Sequence, residues 1–174
     1  MNKDMGYDPR PICNAILDLA DELNLGISNL TLNKILFFAH EHWLGIFGRP
    51  LSRLSFEAWQ YGPVLPLIYH QFKSCGDQNI RSRATRLDSE TGEDICYNYD
   101  TLELEIDELK SVVSRYGRFG AGKLIQLSHI EGGAWHKVWH SSPDDRFGMI
   151  IPDSLIAEVF NGSLANEGDG KYVH

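Results

Sequence analysis

The sequence predicts a helix-dominated α+β fold, a compact bundle of about six or seven helices with a small antiparallel β element. Apolar residues recur at helical spacing in most segments, whereas strand-like alternation is confined to short stretches. Strand and helix patterns do not alternate regularly, which argues against a parallel doubly wound sheet. With 174 residues, 43% of them hydrophobic, the chain is long enough to form one domain with its own core.

The first helix is predicted between residues 11 and 24. Pro11 fits its first position, where the missing N–H costs nothing. Asn24 and Gly26 are residue types that commonly end helices. The apolar stripe between them consists of Ile12, Ile16, Leu19, Ala20 and Leu23.

The second helix is predicted to be the central one, because its apolar stripe is unbroken. Asn29 or Thr31 would cap it, and Gly48 falls near its end. Lys34 and Glu41 lie off the stripe, which consists of Leu32, Ile35, Leu36, Ala39, Trp43 and Ile46.

A short strand and a third helix are predicted next. Leu54, Phe56 and Ala58 alternate with polar residues, as in a half-buried strand. Gly62 then breaks the chain, and Pro63 would open a helix that ends near Gly76.

Residues 80–99 predict a polar hairpin around "SETG", and "RSRATR" before it is either a charge-protected strand edge or a phosphate-contacting patch. Residues 88–108 contain nine acidic side chains and no basic one. Two interpretations remain open, a solvated face or a docking surface for a basic partner. Glu103 and Asp107 are the candidate contact residues of such a surface.

Four more helical segments complete the prediction. The first would be capped by Asp100 or Thr101 and would end at Gly117, and a short one follows over 121–127. "AWHKVWH" predicts another turn or two, and residues 152–160 predict a closing helix that Gly162 ends. We therefore expect a single domain over 1–162 and a flexible tail over 163–174.

Composition restricts the classes of function. The net charge of -8 argues against direct binding to nucleic acid. Three scattered cysteines suit a reducing compartment, and the polar N-terminus lacks the apolar segment of a secretory signal. No apolar run approaches the ~20 residues that span a bilayer. We expect a cytoplasmic protein that does not enter membranes.

Two motifs raise the possibility of an enzyme or a metal site. Gly117–Lys123 has the spacing of a phosphate-binding loop, but Leu124 stands where a magnesium-binding Ser or Thr is needed. The preceding segment is helical rather than a strand, so a helix boundary explains these glycines better. His136 and His140 share a helix face but lack a clear third ligand. We therefore predict neither an enzyme nor a bound cofactor.

"EAWQYGPV", residues 57–64, predicts a rigid corner. Gly62 gives the turn its freedom, and Pro63 fixes the start of the helix that follows. Trp59 and Tyr61 flank this break. They either anchor the corner to the core or present aromatic surface to a protein partner, as residues at interface hot spots do.

Two stretches resemble a known family, the Panacea domain. "LNKILFFAHEHWLGIFGRPL" followed by "FEAWQYGPVLPLIYHQFKSCG" closely resembles its core, and "RYGRFGAGKLIQLSHIEGGAWHKVW" is similar to its second signature. The resemblance covers roughly residues 10–160; the extra glycines of "GRFGAGK" and the residues after 162 depart from it. The matching positions are Lys34, Ile35, Leu36, Phe37, Glu57, Ala58, Trp59, Tyr61, Gly62, Pro63, Val64, Tyr69, Leu127, Ser128, His129 and Trp135.

The resemblance implies a non-enzymatic interaction protein, because the family includes the SocA-like antitoxins and phage-associated proteins. We expect an antitoxin that binds and neutralises a cognate toxin of a bacterial or prophage toxin–antitoxin system. The alternative that the resemblance implies is an adaptor that delivers a toxin to a ClpXP-type protease through its ClpX-type unfoldase. The candidate interface or motif residues are Trp59, Tyr61, Gly62, Pro63, Val64, Tyr69, Glu103, Asp107 and Trp135.

Overall fold

The computed structural model describes residues 5–141 and 148–167, and within them it confirms the helix-dominated α+β class. The helices are α1 (Pro9–Glu22), α2 (Asn29–His42), α3 (Pro66–Gln71), α4 (Ile106–Tyr116), α5 (Ala121–Ser128), α6 (Ala134–Ser141) and α7 (Asp153–Glu167). The strands are β1 (Phe56–Trp59), β2 (Gly62–Val64), β3 (Thr85–Leu87), β4 (Asp94–Cys96) and β5 (Ile150–Ile151). A π-helical turn over Trp43–Phe47 extends α2, and a 3₁₀ turn over Lys73–Cys75 follows α3.

Helix α2 is the centre of the domain, as predicted. Helices α1, α3, α4, α5 and α7 all pack against it, and every residue from 31 to 40 is buried. A helix enclosed in this way has no solvent face. Lys34 was therefore wrongly placed off the buried surface, since only 1% of it is exposed. The cap also differs from the prediction, because the hydroxyl of Ser28 accepts the N–H of Thr31 at 3.3 Å.

Two helices begin at other residues than the sequence suggested. Helix α1 starts at Pro9 instead of Pro11, and the Asp8 carboxylate caps it. Helix α4 starts at Ile106 instead of near residue 101. The segment before α4 stays outside the helix because distant groups hold it. The Tyr7 hydroxyl donates to the Glu103 carbonyl at 2.9 Å.

The prediction that Pro63 opens a helix was wrong. Residues Gly62–Val64 pair with β1 in an antiparallel hairpin, and the helix begins three residues later at Pro66. Proline is tolerated there because β2 is an edge strand of the three-stranded sheet β2-β1-β5. Strand β5, which the sequence analysis did not predict, pairs Ile151 with Phe56.

The predicted polar hairpin is confirmed as the two-stranded sheet β3–β4. One of the contacts that bind its base to α1 comes from an asparagine. The amide of Asn14 donates to the carbonyls of Ala84 (3.0 Å) and Tyr97 (2.9 Å), and its oxygen accepts the Ala84 N–H at 2.7 Å. The strands themselves project beyond this anchor, and all three residues of β4 are exposed.

The C-terminal half follows the predicted order of helices. Gly117 ends α4 and Gly120 precedes α5, so the glycines of "GRFGAGK" mark a helix boundary. Helix α7 continues past Gly162 to Glu167, which corrects the predicted end of the closing helix. The last seven residues of the expected flexible tail, 168–174, lie outside the described residues, and the domain limit at 162 stays a prediction. Among the described helices, none has the length and apolar character needed to cross a bilayer.

Candidate functional site

The candidate site is the corner at which β1 turns into β2. Trp59 pairs with Gly62 across the turn, and Gly62 adopts a φ of 102° that strongly favours glycine. The side chain of Tyr61 at the tip is 59% exposed. The ring of Trp59 is half-buried against Tyr69, with the two ring centres 4.9 Å apart, and its Nε1 donates to Glu57 at 2.8 Å.

Helix α2 holds this corner from the inside. The Nζ of Lys34 donates to the Pro63 carbonyl at 2.9 Å. Asn33 accepts the Leu65 N–H at 3.0 Å, so two successive residues of α2 bind the backbone on either side of Val64. Burial of the Lys34 ammonium disfavours its charged form and lowers its pKa to about 7.

The last turn of α3 is held in the same way. The side-chain amide of Asn29 donates to the Tyr69 carbonyl at 2.9 Å, and Asn33 donates back to Asn29 at 3.0 Å. One turn of α2 therefore satisfies backbone groups of both β2 and α3, which lack strand or helix partners of their own. These bonds set the position of the corner relative to the core.

Residues from α5 and α6 close the corner from the other side. The indole Nε1 of Trp135 donates to the Trp59 carbonyl at 2.9 Å, and the ring of His129 stacks flat on Trp135 at 3.6 Å between centres. Ser128 lies so near Gly62 that a Cβ built on this glycine would be 2.5 Å from the serine hydroxyl. A Cβ there would also be 2.8 Å from Cε of Lys34.

His129 lies in an unusual environment. Its Nε2 is buried and has no hydrogen-bond partner among the described residues. Burial lowers the pKa of His129, and the neighbouring positive charges of Lys34, His136 and His140 act in the same direction. The imidazole is therefore held in its uncharged form, which suits its stacking on an indole ring.

Seven of the nine candidate residues meet at this corner. Trp135 contacts the backbone of Trp59 directly, and the other six belong to the corner or to α3. Of these only Tyr61 is largely exposed, since residues 62–64 are buried and the two remaining aromatic rings are half-buried. The seven residues are Trp59, Tyr61, Gly62, Pro63, Val64, Tyr69 and Trp135.

The other two candidates lie elsewhere, Glu103 on the segment that leads into α4 and Asp107 in the first turn of that helix. Their acidic stretch is not one uniform solvated face. Glu105 forms an ion pair with Arg49 at 2.5 Å and accepts the Trp43 indole N–H at 3.3 Å. Glu108 binds His42 at 3.0 Å. Part of this acidity therefore stabilises the fold, and Asp107 remains exposed in the first turn of α4.

Lys34, Ser128 and His129 were not among the candidates, although they match the family pattern. Lys34 carried the clearest signal, because it is a charged residue directly before the apolar run 35–39 of the central helix. The apolar stripe of α2 was misleading for Lys34, because such a stripe locates only the most apolar face of a helix and α2 is enclosed on all sides.

The arrangement offers no assembled catalytic or metal-binding set. The Ser128 hydroxyl donates to the Ile125 carbonyl of its own helix at 2.9 Å. Among the described residues no group of three or more His, Cys, Asp or Glu side chains is placed to hold a metal ion. Lys123 is exposed, 3.4 Å from Gln126, and helix α4 stands where a phosphate-binding loop needs a strand.

Comparisons with known proteins identify a family and one relative. The family model described as "Antitoxin SocA-like, Panacea domain" matches residues 32–136, which include Lys34, the corner and Trp135. The chain is 35% identical to "Antitoxin SocA" from Caulobacter vibrioides over 154 residues, or 88% of this chain and 82% of that protein. No solved structure matches the chain.

Proposed function

The chain belongs to the SocA-like antitoxins with a Panacea domain, and we propose that it is an antitoxin that binds a cognate toxin protein and thereby blocks it. The observation that carries the proposal is the similarity to a protein named as an antitoxin across 88% of this chain. The similarity covers 154 residues, more than the span 32–136 that the family model matches, so it concerns most of the fold and not one motif.

We place the toxin interface at the tip of the corner, around Tyr61. Its ring is 59% exposed, and the neighbouring strand β5 adds Ile150, which is 57% exposed. Lys34, Asn33 and Trp135 fix the backbone beneath this surface. A side chain presented on a rigid backbone loses less conformational entropy when a partner binds, which favours affinity. An exposed tyrosine is also typical of binding hot spots.

Growth in bacteria tests the antitoxin function. The neighbouring open reading frame of the source genome would be expressed from an inducible promoter, with and without this protein. We expect growth arrest that co-expression reverses. Arrest that persists when both proteins accumulate would contradict direct neutralisation.

A pair of variants tests the interface. Tyr61→Ala should weaken the toxin complex at least about tenfold while leaving the melting temperature unchanged, because the ring is mostly exposed. Ile46→Ala is the matched control, since Ile46 is 53% exposed and lies on the π-helical turn after α2. Equal affinities for both variants would remove the corner as the interface but would leave the antitoxin function standing.

The adaptor role is a second proposal that uses the same binding step. It requires a ternary complex of this protein, the toxin and a ClpX-type unfoldase. We expect the half-life of the toxin in cells to shorten when this protein is present and ClpXP is active. A half-life that does not depend on this protein would rule the adaptor role out.

A further inference from the structure

Within the part of the chain that the structure describes, the β3–β4 hairpin has backbone edges that no further strand covers. The Tyr97 N–H donates to the Ala84 carbonyl at 3.0 Å, and the Asp88 N–H donates to the Glu93 carbonyl at 2.8 Å. Hydrogen-bonded and non-hydrogen-bonded residue pairs alternate along an antiparallel ribbon. The two bonded pairs therefore fix which backbone groups between them point into the ribbon and which point outward. The residues whose N–H and C=O groups point away from the ribbon are Thr85, Leu87, Asp94 and Cys96.

No other described strand pairs with either edge. A row of outward backbone donors and acceptors is a template for a further strand. Contacts with α1 fix the base of the ribbon, so its position does not depend on the bonds between β3 and β4 alone. Asn14 bonds both strands at the base, and Arg83 just before β3 forms ion pairs with Asp18 and Asp21.

The charges on the hairpin select the kind of partner. Residues 85–96 carry one arginine and four carboxylates, namely Asp88, Glu90, Glu93 and Asp94. All four except the half-buried Asp88 are exposed. Two such hairpins would repel each other, which disfavours pairing with a second copy of this chain. A positively charged segment would be attracted instead.

The two edges are not equivalent. Strand β3 carries Arg86, which would repel a basic strand laid beside it. Both strands carry an exposed apolar side chain, Leu87 on β3 at 68% and Ile95 on β4 at 38%, so the charges distinguish the edges. Strand β4 carries Asp94 and follows directly after Glu93. A basic strand with alternating apolar residues therefore fits β4 better than β3.

We propose that the outer edge of β4 receives an extended basic segment of the toxin as a third strand of this sheet. The identity of the partner rests on the proposed antitoxin function. The surface is distinct from the corner at Tyr61, so the toxin would be held at two places on the chain. Main-chain bonds to β4 would supply affinity, and the carboxylates would supply charge selection.

Hydrogen exchange measured on the full chain tests the proposal. In the complex with the toxin, the amides of Asp94 and Cys96 should gain protection, whereas those of Thr85 and Leu87 on the opposite edge should not. A complex in which no hairpin amide gains protection would overturn the proposal. So would protection confined to β3.

Two matched pairs of variants separate backbone pairing from charge. Cys96→Pro removes an outward N–H without removing a bond of the ribbon, and Thr85→Pro does the same at its cross-strand partner. We expect only Cys96→Pro to weaken the complex, by at least about tenfold. The affinity for the toxin should fall between about 50 mM and about 500 mM salt, and reversing Glu93 and Asp94 to lysine should make this fall smaller. Reversal of Asp77 and Glu131, which are exposed elsewhere on the chain, should leave it unchanged.

A peptide probe keeps this inference separate from the proposed function. An octapeptide of alternating lysine and valine, compared with one of glutamate and valine, would be titrated into the wild-type chain at low salt. We expect only the lysine peptide to bind and to protect the amides of Asp94 and Cys96. In Cys96→Pro, which lacks the second amide, the protection of Asp94 should be lost. If the toxin is not neutralised but this peptide binds at β4, the antitoxin proposal fails and the strand-addition inference stands. If the toxin is neutralised and neither ligand protects β4, the inference fails alone.

Discussion

The corner at Tyr61 and the β3–β4 hairpin are both antiparallel hairpins, but they differ in how far the rest of the molecule covers and contacts them. The corner is held from two sides by Lys34, Asn33 and Trp135, and all of β2 is buried. The hairpin is held only at its base, and all of β4 is exposed. Its edges carry backbone groups that no described strand uses.

The difference shows that the residues of the family motif mainly build the fold. Most of these residues form buried hydrogen bonds or pack closely within the fold, whereas Tyr61 is mostly exposed. The hairpin contains none of the motif residues that match the family. The corner is a buried structural element with one exposed tip, and the hairpin is an exposed, charged edge. Substitutions in the two regions should therefore differ in their effect on stability.

Gly62→Ala should produce the largest difference between the two regions. The new Cβ would be strained by the positive φ and would clash with Ser128 and Lys34. We expect a loss of about 2 to 6 kcal/mol in the free energy of unfolding, measured by urea denaturation. Gly92→Ala in the hairpin turn is the control, because Gly92 has a φ of 72° but no atom within 4 Å of the new Cβ. Equal losses would contradict the close packing described for the corner.

The stability of the protein should depend on pH through two groups of α2, the buried Lys34 and the half-buried Glu41. Burial lowers the pKa of Lys34 from 10.5 to about 7, so between these values the folded chain binds fewer protons than the unfolded chain. The free energy of unfolding should therefore rise with pH above about 7. Burial raises the pKa of Glu41 from 4.5 to about 7, so the stability that its neutral form contributes is lost as pH rises through that range.

The combined contribution of these two groups to the free energy of unfolding should be smallest near pH 7. On either side it should change by at most about 1.4 kcal/mol per pH unit. Lys34→Met should remove the rise on the alkaline side, and Glu41→Gln should remove the fall on the acidic side. Urea denaturation from pH 5 to 9 measures both, at about one pH unit per step. Profiles identical to the wild type would show that neither group titrates with a shifted pKa.

Trp135→Phe tests the contact that closes the corner. The variant keeps an aromatic ring but leaves the Trp59 carbonyl without its indole donor, which should cost about 1 to 3 kcal/mol of stability. Trp59→Phe removes a similar bond to Glu57, but at a half-buried position where water replaces it. We expect this control to cost less than Trp135→Phe, and the reverse order would show that α6 does not hold the corner.

Glu90→Lys should have the smallest effect on stability. Glu90 is exposed at the tip of the hairpin, so its replacement should change the free energy of unfolding by less than about 0.5 kcal/mol. A loss of several times this amount would show that the Glu90 carboxylate contributes to the fold, and would weaken the distinction between the two regions.

The sequence by itself determined the features that depend on neighbouring residues. The stripe from Leu32 to Ile46 located the central helix, because its period is a local property of the chain. Gly117 and Gly120 marked a helix boundary for the same reason. The residues of the corner were also identified together, since "EAWQYGPV" is one short segment that carries its own turn chemistry.

Only the tertiary structure decided where these segments meet. The burial of Lys34 depends on α5 and β2 covering a face that the stripe left open. The strand at Pro63 depends on its pairing with β1, and the late start of α4 depends on Tyr7 binding the Glu103 carbonyl 96 residues away. Strand β5 is too short to show a period, and it exists through its pairing with β1. Local patterns determine which residues favour a helix or a turn, whereas burial and pairing are set by contacts between residues far apart in the chain, which periodicity does not record.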